Sequence, residues 1–195
     1  MLSVAHRAVL VTLSLVMACA CIHATEPYGL DLQGRPVRQL AGPGVRLVVL
    51  IFAASDCPIS NRYVPEIARL SHEYSPRGVR VWWVFPNSDD TAPIIARHNA
   101  EFAISESIVL DSRQTLVNLA HVAVTPEAAV FAVVNDELHE VYRGRIDDRY
   151  LSIGRQRPQP TRRDLEAAIA AALAGESVPR PAGPPVGCSI IPLQK

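Results

Sequence analysis

Apolar runs and segments with helical spacing alternate along most of this chain. Three runs rich in Val, Leu, Ile and aromatic residues predict strands that are buried on both faces: 46–53, 79–85 and 128–134. Four segments predict helices, the first of which ends before Pro76 and Gly78: 60–74, 92–102, 114–120 and 161–174. This alternation predicts an α/β fold of three layers with a mostly parallel central sheet.

Both ends of this region carry further signals. Two short segments at 29–32 and 37–40 predict a small lead-in hairpin. The run at 128–134 is followed by Asn135-Asp136 and a strand at 139–143, which predicts a terminal antiparallel hairpin. Thr161 with Asp164 resembles a capping box for the closing helix. We therefore expect one domain over residues 25–175 and an extended, proline-rich tail over 176–195.

The first 24 residues have the pattern of a secretory signal peptide. A short basic start is followed by an apolar run at 8–20 and then by small residues up to Ala24. The run is too short to span a bilayer comfortably, so we expect cleavage, export to the periplasm or another extracytoplasmic space, and no stable membrane insertion afterwards. A lipoprotein signal with Cys19 or Cys21 as the acylated residue is the alternative.

Composition narrows the possible partners. The chain is 49% hydrophobic and has a formal net charge of zero, so no basic surface suggests a nucleic-acid partner. The histidines lack the spacing of a metal site, and we expect neither a metal nor another cofactor. Of four cysteines, cleavage after Ala24 leaves only Cys57 and Cys188.

Cys57 is the best candidate for a reactive group. It follows the apolar strand 46–53 and precedes a helix, so it is expected at a helix N-terminus. Unpaired backbone N–H groups and the positive end of the helix dipole favour a thiolate there, and the thiolate is the reactive form of cysteine. The alternative is a small buried hydrophobic residue, which describes most free cysteines.

The residues around Cys57 resemble the thioredoxin superfamily, in its redoxin branch of peroxiredoxin-like and exported thiol–disulfide proteins. Pro65 matches the proline within that family's first long helix, and Thr125-Pro126 resembles the cis-proline segment that faces the catalytic cysteine. The resemblance covers residues 29–174. It implies a thioredoxin-like fold, Cys57 as nucleophile, and Thr125 and Pro126 beside it.

Two departures from the family pattern limit the implied chemistry. Ser60 replaces the second cysteine of a C-x-x-C motif, and serine cannot resolve a mixed disulfide. Ala54 stands where peroxiredoxins carry a threonine that helps position the peroxide. We therefore expect an exported thiol oxidoreductase acting on protein thiols and disulfides or on small peroxides, with an external thiol reductant.

Two other functions stay open at this point. One is a true thiol peroxidase of the alkyl hydroperoxide reductase type. The other is a non-catalytic thioredoxin-fold module that binds client cysteines or copper(I).

Three arginines are candidates for stabilising a thiolate or binding an anionic substrate. Arg62 lies on the helix that follows Cys57 and would offset the charge of Asp56. Arg143 and Arg145 lie in a densely charged segment that the topology returns toward the active-site end. The alternative for this segment is a solvated loop of compensating charges.

Cys188 is the candidate resolving cysteine. The closing helix would carry the chain about 20 Å away from the site, while an extended tail from Gly175 to Cys188 spans roughly 40 Å and is long enough to return. The other interpretation is an unrelated tail cysteine that is free or pairs between chains. The sequence therefore predicts a Cys57–Cys188 relay as one of two outcomes.

Overall fold

The computed structural model describes residues 26–193, so the signal-peptide prediction lies outside the described residues. The four α-helices of this region are α1 Pro58–Tyr74, α2 Ala92–Phe102, α3 Thr115–Ala120 and α4 Asp164–Ala174. The strands are β1 Gly29–Leu30, β2 Pro36–Val37, β3 Leu47–Phe52, β4 Val79–Phe85, β5 Ser107–Leu110, β6 Val124–Thr125, β7 Glu127–Val134, β8 Glu137–Gly144, β9 Tyr150–Ser152, β10 Arg155–Gln156 and β11 Cys188–Ser189.

The central sheet has seven strands in the order β2-β1-β5-β4-β3-β7-β8. The α/β fold class and the terminal hairpin of β7 and β8 are confirmed, but a mostly parallel sheet was wrong. Only β3, β4 and β5 pair in parallel, because a helix crosses over between each pair. The other neighbours are antiparallel, since the lead-in hairpin joins β5 at one edge and β7 runs back along β3 at the other.

Helices cover both faces of this sheet, which confirms the three layers. All six residues of β3 are buried, and they alternate between two apolar clusters. Leu47, Val49 and Ile51 face the cluster that contains the buried residues of α1 and α4. The intervening residues face the cluster that contains α3 and the lead-in segment. Burial on both faces explains why this strand lacks polar positions.

The closing helix starts later than its capping signal predicted. It begins at Asp164 without a side-chain cap, and Thr161 instead donates from its backbone N–H and its hydroxyl to the carboxylate of Asp148. Asp164 is bonded to Arg145 and accepts from the backbone N–H of Ala182 in the tail. The predicted capping pair therefore serves tertiary contacts, one of which holds the tail.

Within residues 26–193, none of the helices combines the length and the apolar character that crossing a membrane requires.

Candidate active site

Cys57 lies at the N-terminus of α1, as the sequence predicts. Its backbone is extended, with φ −84° and ψ 109°, and Pro58 follows in the first helical turn. Proline suits this position because the backbone N–H it lacks would have no partner in the helix. The Cys57 side chain is 0% exposed. The thiol thus sits at the positive end of a 17-residue helix while being shielded from solvent.

Cys188 lies directly against Cys57, although 131 positions separate the two residues in the chain. The two sulfur atoms are 2.8 Å apart, and both cysteines are free thiols in the structure. Cys57 is buried and Cys188 is half-buried. The tail therefore returns to the domain and brings a second thiol beside Cys57, which Ser60 cannot provide.

The tail reaches Cys57 by forming a strand. In β11, Cys188 pairs antiparallel with Thr125 of β6, and Ser189 pairs with Val124. The Thr125-Pro126 peptide bond is cis, which confirms the expectation from the family resemblance. The Cys57 thiol is 3.2 Å from the carbonyl oxygen of Thr125, to which it donates when protonated. Thr125 and Pro126 are therefore beside the sulfur pair, as expected.

The two thiols differ in acidity. Burial by itself raises the pKa of Cys57, but hydrogen bonds from the Cys188 thiol and from the backbone of Ser60 outweigh it and hold that pKa below the ordinary thiol value. Burial, together with its bond to Cys57, raises the pKa of Cys188 to about 11. The pair therefore loses its first proton from Cys57, with Cys188 donating to the resulting thiolate.

A buried polar network supports the loop before Cys57. The backbone N–H and the hydroxyl of Ser55 both donate to Asp90, and the side-chain amide of Asn61 donates to the Ser55 carbonyl oxygen at 3.1 Å. Asn61 in turn bonds to the ring of His98 at 2.8 Å. Burial raises the pKa of Asp90 and lowers that of His98. This network ties the active-site loop to α2.

Sequence reasoning missed this network, although one signal was available. Asp90 follows β4 by a few residues, and Ser55 follows β3. The two strands are parallel neighbours, so the loops after them meet at the same edge of the sheet.

A second network joins α1 to the segment before β9. The Tyr63 hydroxyl donates to Asp147 at 2.5 Å, and the backbone N–H of Arg149 donates to the same carboxylate oxygen at 2.8 Å. The ring of Tyr150 packs against Tyr63, with the centroids 5.8 Å apart. These contacts place β9 beside α1 and the sulfur pair.

A mostly apolar groove of about 360 Å³ opens at Cys188. Its lining residues come from α1 and from the β9–β10 hairpin: Pro58, Ile59, Arg62, Tyr150, Ile153, Gly154 and Gln156. Ile153 at the tip of the hairpin is 75% exposed, although it is a large apolar residue. The sequence analysis did not predict this hairpin.

The three candidate arginines have different surroundings. Arg62 lines the groove next to Cys188. Arg143 donates to the carbonyl oxygens of Ala120 and His121 at the end of α3. Arg145 forms an ion pair with Asp164 at 2.8 Å. Arg62 is thus the one placed beside the sulfur pair, while the other two hold loops and the start of α4.

No group of three or more metal-ligating side chains is assembled among residues 26–193. Cys57 and Cys188 are the two soft donors that the site offers, and they are in contact with each other. The arrangement can form and break a disulfide.

In this fold the second cysteine of the sulfur pair comes from β11, near the end of the described residues. No family model and no curated protein matches the chain.

Among solved structures, an uncharacterized conserved protein from Geobacillus kaustophilus is similar over 86% of this chain and 88% of its own, with 24% identity and a TM-score of 0.70. A hypothetical protein from Sinorhizobium meliloti 1021 covers 75% of this chain and 80% of its own, with 22% identity and a TM-score of 0.64. A thiol-disulfide oxidoreductase from Bacteroides fragilis is similar over 60% of this chain and 88% of its own, with 17% identity and a TM-score of 0.50. At these identities the likeness concerns the fold, and the chain has the thioredoxin-like fold that its sequence predicts.

Proposed function

We propose that this protein is an exported thiol–disulfide oxidoreductase that uses Cys57 and Cys188 as one redox pair. The observation that carries the proposal is the 2.8 Å contact between the two sulfur atoms. In a thioredoxin fold with serine at the second motif position, a tail cysteine held in a strand supplies the thiol that the motif lacks. The substrates are thiols and disulfides of other proteins.

The proposed reaction is a two-electron exchange. In the oxidised protein a bond joins the two sulfurs, and a client dithiol transfers two electrons to it and becomes a disulfide. The protein is left with a thiolate at Cys57 and a thiol at Cys188, and one proton is released. A low-pKa Cys57 stabilises this reduced state, which favours electron transfer from client to protein.

Peroxide reduction is the second candidate, and the same contact favours it. The Cys57 thiolate would attack the peroxide, the O–O bond would break, and Cys57 would become a sulfenic acid while the other oxygen takes up a proton and leaves as an alcohol or as water. The Cys188 thiol would then condense with the sulfenic acid, forming the disulfide and releasing water. The burial of Cys57 and the alanine at position 54 argue for slow turnover by this route.

A non-reducing peptide map of protein oxidised with glutathione disulfide tests the proposal, together with catalysed oxidation of a dithiol peptide. We expect Cys57 and Cys188 to be joined, and we expect both Cys57→Ser and Cys188→Ala to abolish turnover. Ser189→Ala, which changes the exposed neighbour of Cys188, is the matched control and should retain activity. Unchanged turnover in Cys188→Ala with no joined peptide would refute the redox pair.

Two further measurements separate the alternatives. The rate of peroxide consumption with a dithiol reductant is compared with the rate of thiol–disulfide exchange, and a faster peroxide reaction identifies a peroxidase. Copper retained by the purified protein and lost in Cys57→Ser would instead indicate a binding module.

A further inference from the structure

The two sulfurs of the pair are not equally open to an incoming molecule. Cys57 is 0% exposed, while Cys188 is half-buried and forms part of the wall of the groove between α1 and the β9–β10 hairpin. A thiol that enters this groove therefore meets Cys188 first.

The tail strand itself covers Cys57. A Cβ atom at Gly187 would lie 2.1 Å from the Thr125 carbonyl oxygen, so β11 is seated as closely on β6 as a glycine allows. Beyond the pair, the backbone N–H of Ile190 donates to Ala123, and the side-chain amide of Gln114 donates to the Ile191 carbonyl oxygen at 2.6 Å. Ile190 is buried in the apolar core. Anchors on both sides of Cys188 keep the strand over Cys57.

We propose that, in the oxidised protein, a client thiolate attacks the sulfur of Cys188 and not that of Cys57, so that the tail strand carries the mixed disulfide. This inference rests on the proposed exchange function and specifies its first step. It assigns Cys188, which the sequence suggests only as a resolving thiol, the role of the residue that bonds covalently to the client.

The acidity of the two thiols supports the same order. Thiol–disulfide exchange is faster when the departing sulfur has the lower pKa. Attack at Cys188 expels Cys57, which keeps the hydrogen bond from the Ser60 backbone that lowers its pKa. Attack at Cys57 would expel Cys188, whose pKa is raised by burial.

The electrons balance over two steps. First, the client thiolate forms a bond to the Cys188 sulfur, the Cys57–Cys188 bond breaks, and Cys57 leaves as a thiolate. Second, another thiolate of the same client attacks the client sulfur of the mixed disulfide, and Cys188 leaves and takes up a proton. A small-molecule disulfide such as glutathione disulfide then re-oxidises the pair and is reduced to two thiols.

The order of attack is tested by trapping the first step. Wild-type protein is oxidised with glutathione disulfide, mixed briefly with the monothiol 2-mercaptoethanol, and quenched with acid, which stops exchange. Peptides from digestion at low pH are then analysed by mass spectrometry. We expect the 2-mercaptoethanol adduct on Cys188 to exceed that on Cys57 by about tenfold or more, because both access and leaving group favour it.

The possible results separate the two proposals. An adduct found equally on both cysteines, or mainly on Cys57, overturns the order of attack and leaves the redox pair intact. Failure to form the Cys57–Cys188 disulfide at all overturns the exchange function and this inference with it.

Discussion

Two hydrogen-bond partners of the Cys57 thiol have opposite effects on its proton. The Thr125 carbonyl oxygen accepts from the protonated thiol, whereas the Cys188 thiol donates to the thiolate. Removing the donor should therefore raise the pKa of Cys57. We predict that the ultraviolet thiolate signal of reduced Cys188→Ala appears at higher pH than that of the wild type.

Ser189→Ala is the control for this measurement and should titrate like the wild type. An unchanged midpoint in Cys188→Ala would mean that the helix and Ser60 alone set the acidity of Cys57.

The direction of the Cys57 pKa shift also determines how the stability of the reduced protein depends on pH. Since the folded pKa of Cys57 lies below its unfolded value, its contribution to the reduced fold is lost as pH falls through the folded pKa and is fully present only above the ordinary thiol pKa.

Asp111 is a buried carboxylate that organises the start of α3. It accepts backbone hydrogen bonds from Thr115, Leu116 and Val117, and it is 0% exposed. We predict that Asp111→Ala lowers the free energy of unfolding by about 1–3 kcal/mol, because these N–H groups lose their acceptor. Asp111→Asn keeps one acceptor oxygen and should cost less in the same denaturant titration.

The pH dependence at Asp111 provides an independent check. Burial raises its pKa to about 6, and the three N–H bonds offset only part of that effect. The folded state therefore binds the proton more tightly than the unfolded state does. The stability of the wild type relative to Asp111→Asn should fall as pH rises from about 4 through 6. A difference that grows over this range would show that the N–H bonds dominate.

Among the elements, β11 decides whether Cys57 is covered. Gly187→Ala would place a methyl group where only 2.1 Å separates it from the Thr125 carbonyl oxygen, so the strand cannot stay seated. In a Cys188→Ser background, we predict that this change accelerates maleimide labelling of Cys57 by about tenfold or more. This corresponds to a decrease of about 1.4 kcal/mol in the free energy needed to expose Cys57.

Gly183→Ala is the matched control for the tail strand. It lies in the same tail, and its added Cβ would lie 3.0 Å from the end of the Arg145 side chain, a contact that a small shift of the guanidinium group relieves. Labelling of Cys57 should then stay near the rate of the parent Cys188→Ser protein. Equal rates in all three proteins would mean that β11 does not cover Cys57.

The elements differ in how far the sequence determines them. The apolar run of β4 and the periodic segment of α2 are predicted with the observed bounds, because burial dictates their residue types. The two-residue strands β6 and β11 have no pattern of their own, and their pairing depends on where the rest of the fold places them. For the same reason, the direction of the strands at the sheet edges depends on the tertiary fold and could not be predicted from local sequence.

For the molecule as a whole, the site joins residues whose proximity local patterns cannot reveal. Cys57 is predictable because a strand, a cysteine and a helix adjoin in sequence. The length of the tail allowed Cys188 to reach Cys57 but did not require it, since a contact across 131 positions depends on the whole fold. The supporting Asp90 network was missed because its members lie in two loops and two helices that are separated in the sequence.

Export is a property of the whole molecule and is tested on the native protein. We predict that the mature chain begins near Thr25, because the basic, apolar and small-residue segments of a signal peptide occur in order. Intact mass spectrometry of the protein from its host would show this N-terminus outside the cytoplasm. A mass that includes Met1, or a lipid on Cys19 or Cys21, would contradict cleavage after Ala24.

The segment between α4 and β11, here called the bridge, connects two elements that are both packed on the domain. Glu176 and Ser177 are exposed, so a glutamate-specific protease can cut the bridge without entering the core. In the reduced protein such a cut frees the peptide that contains Cys188, since only non-covalent contacts hold it. In the proposed oxidised state the same peptide would stay attached through sulfur. After a single cut, the number of pieces that separate would therefore report whether the site is reduced or oxidised.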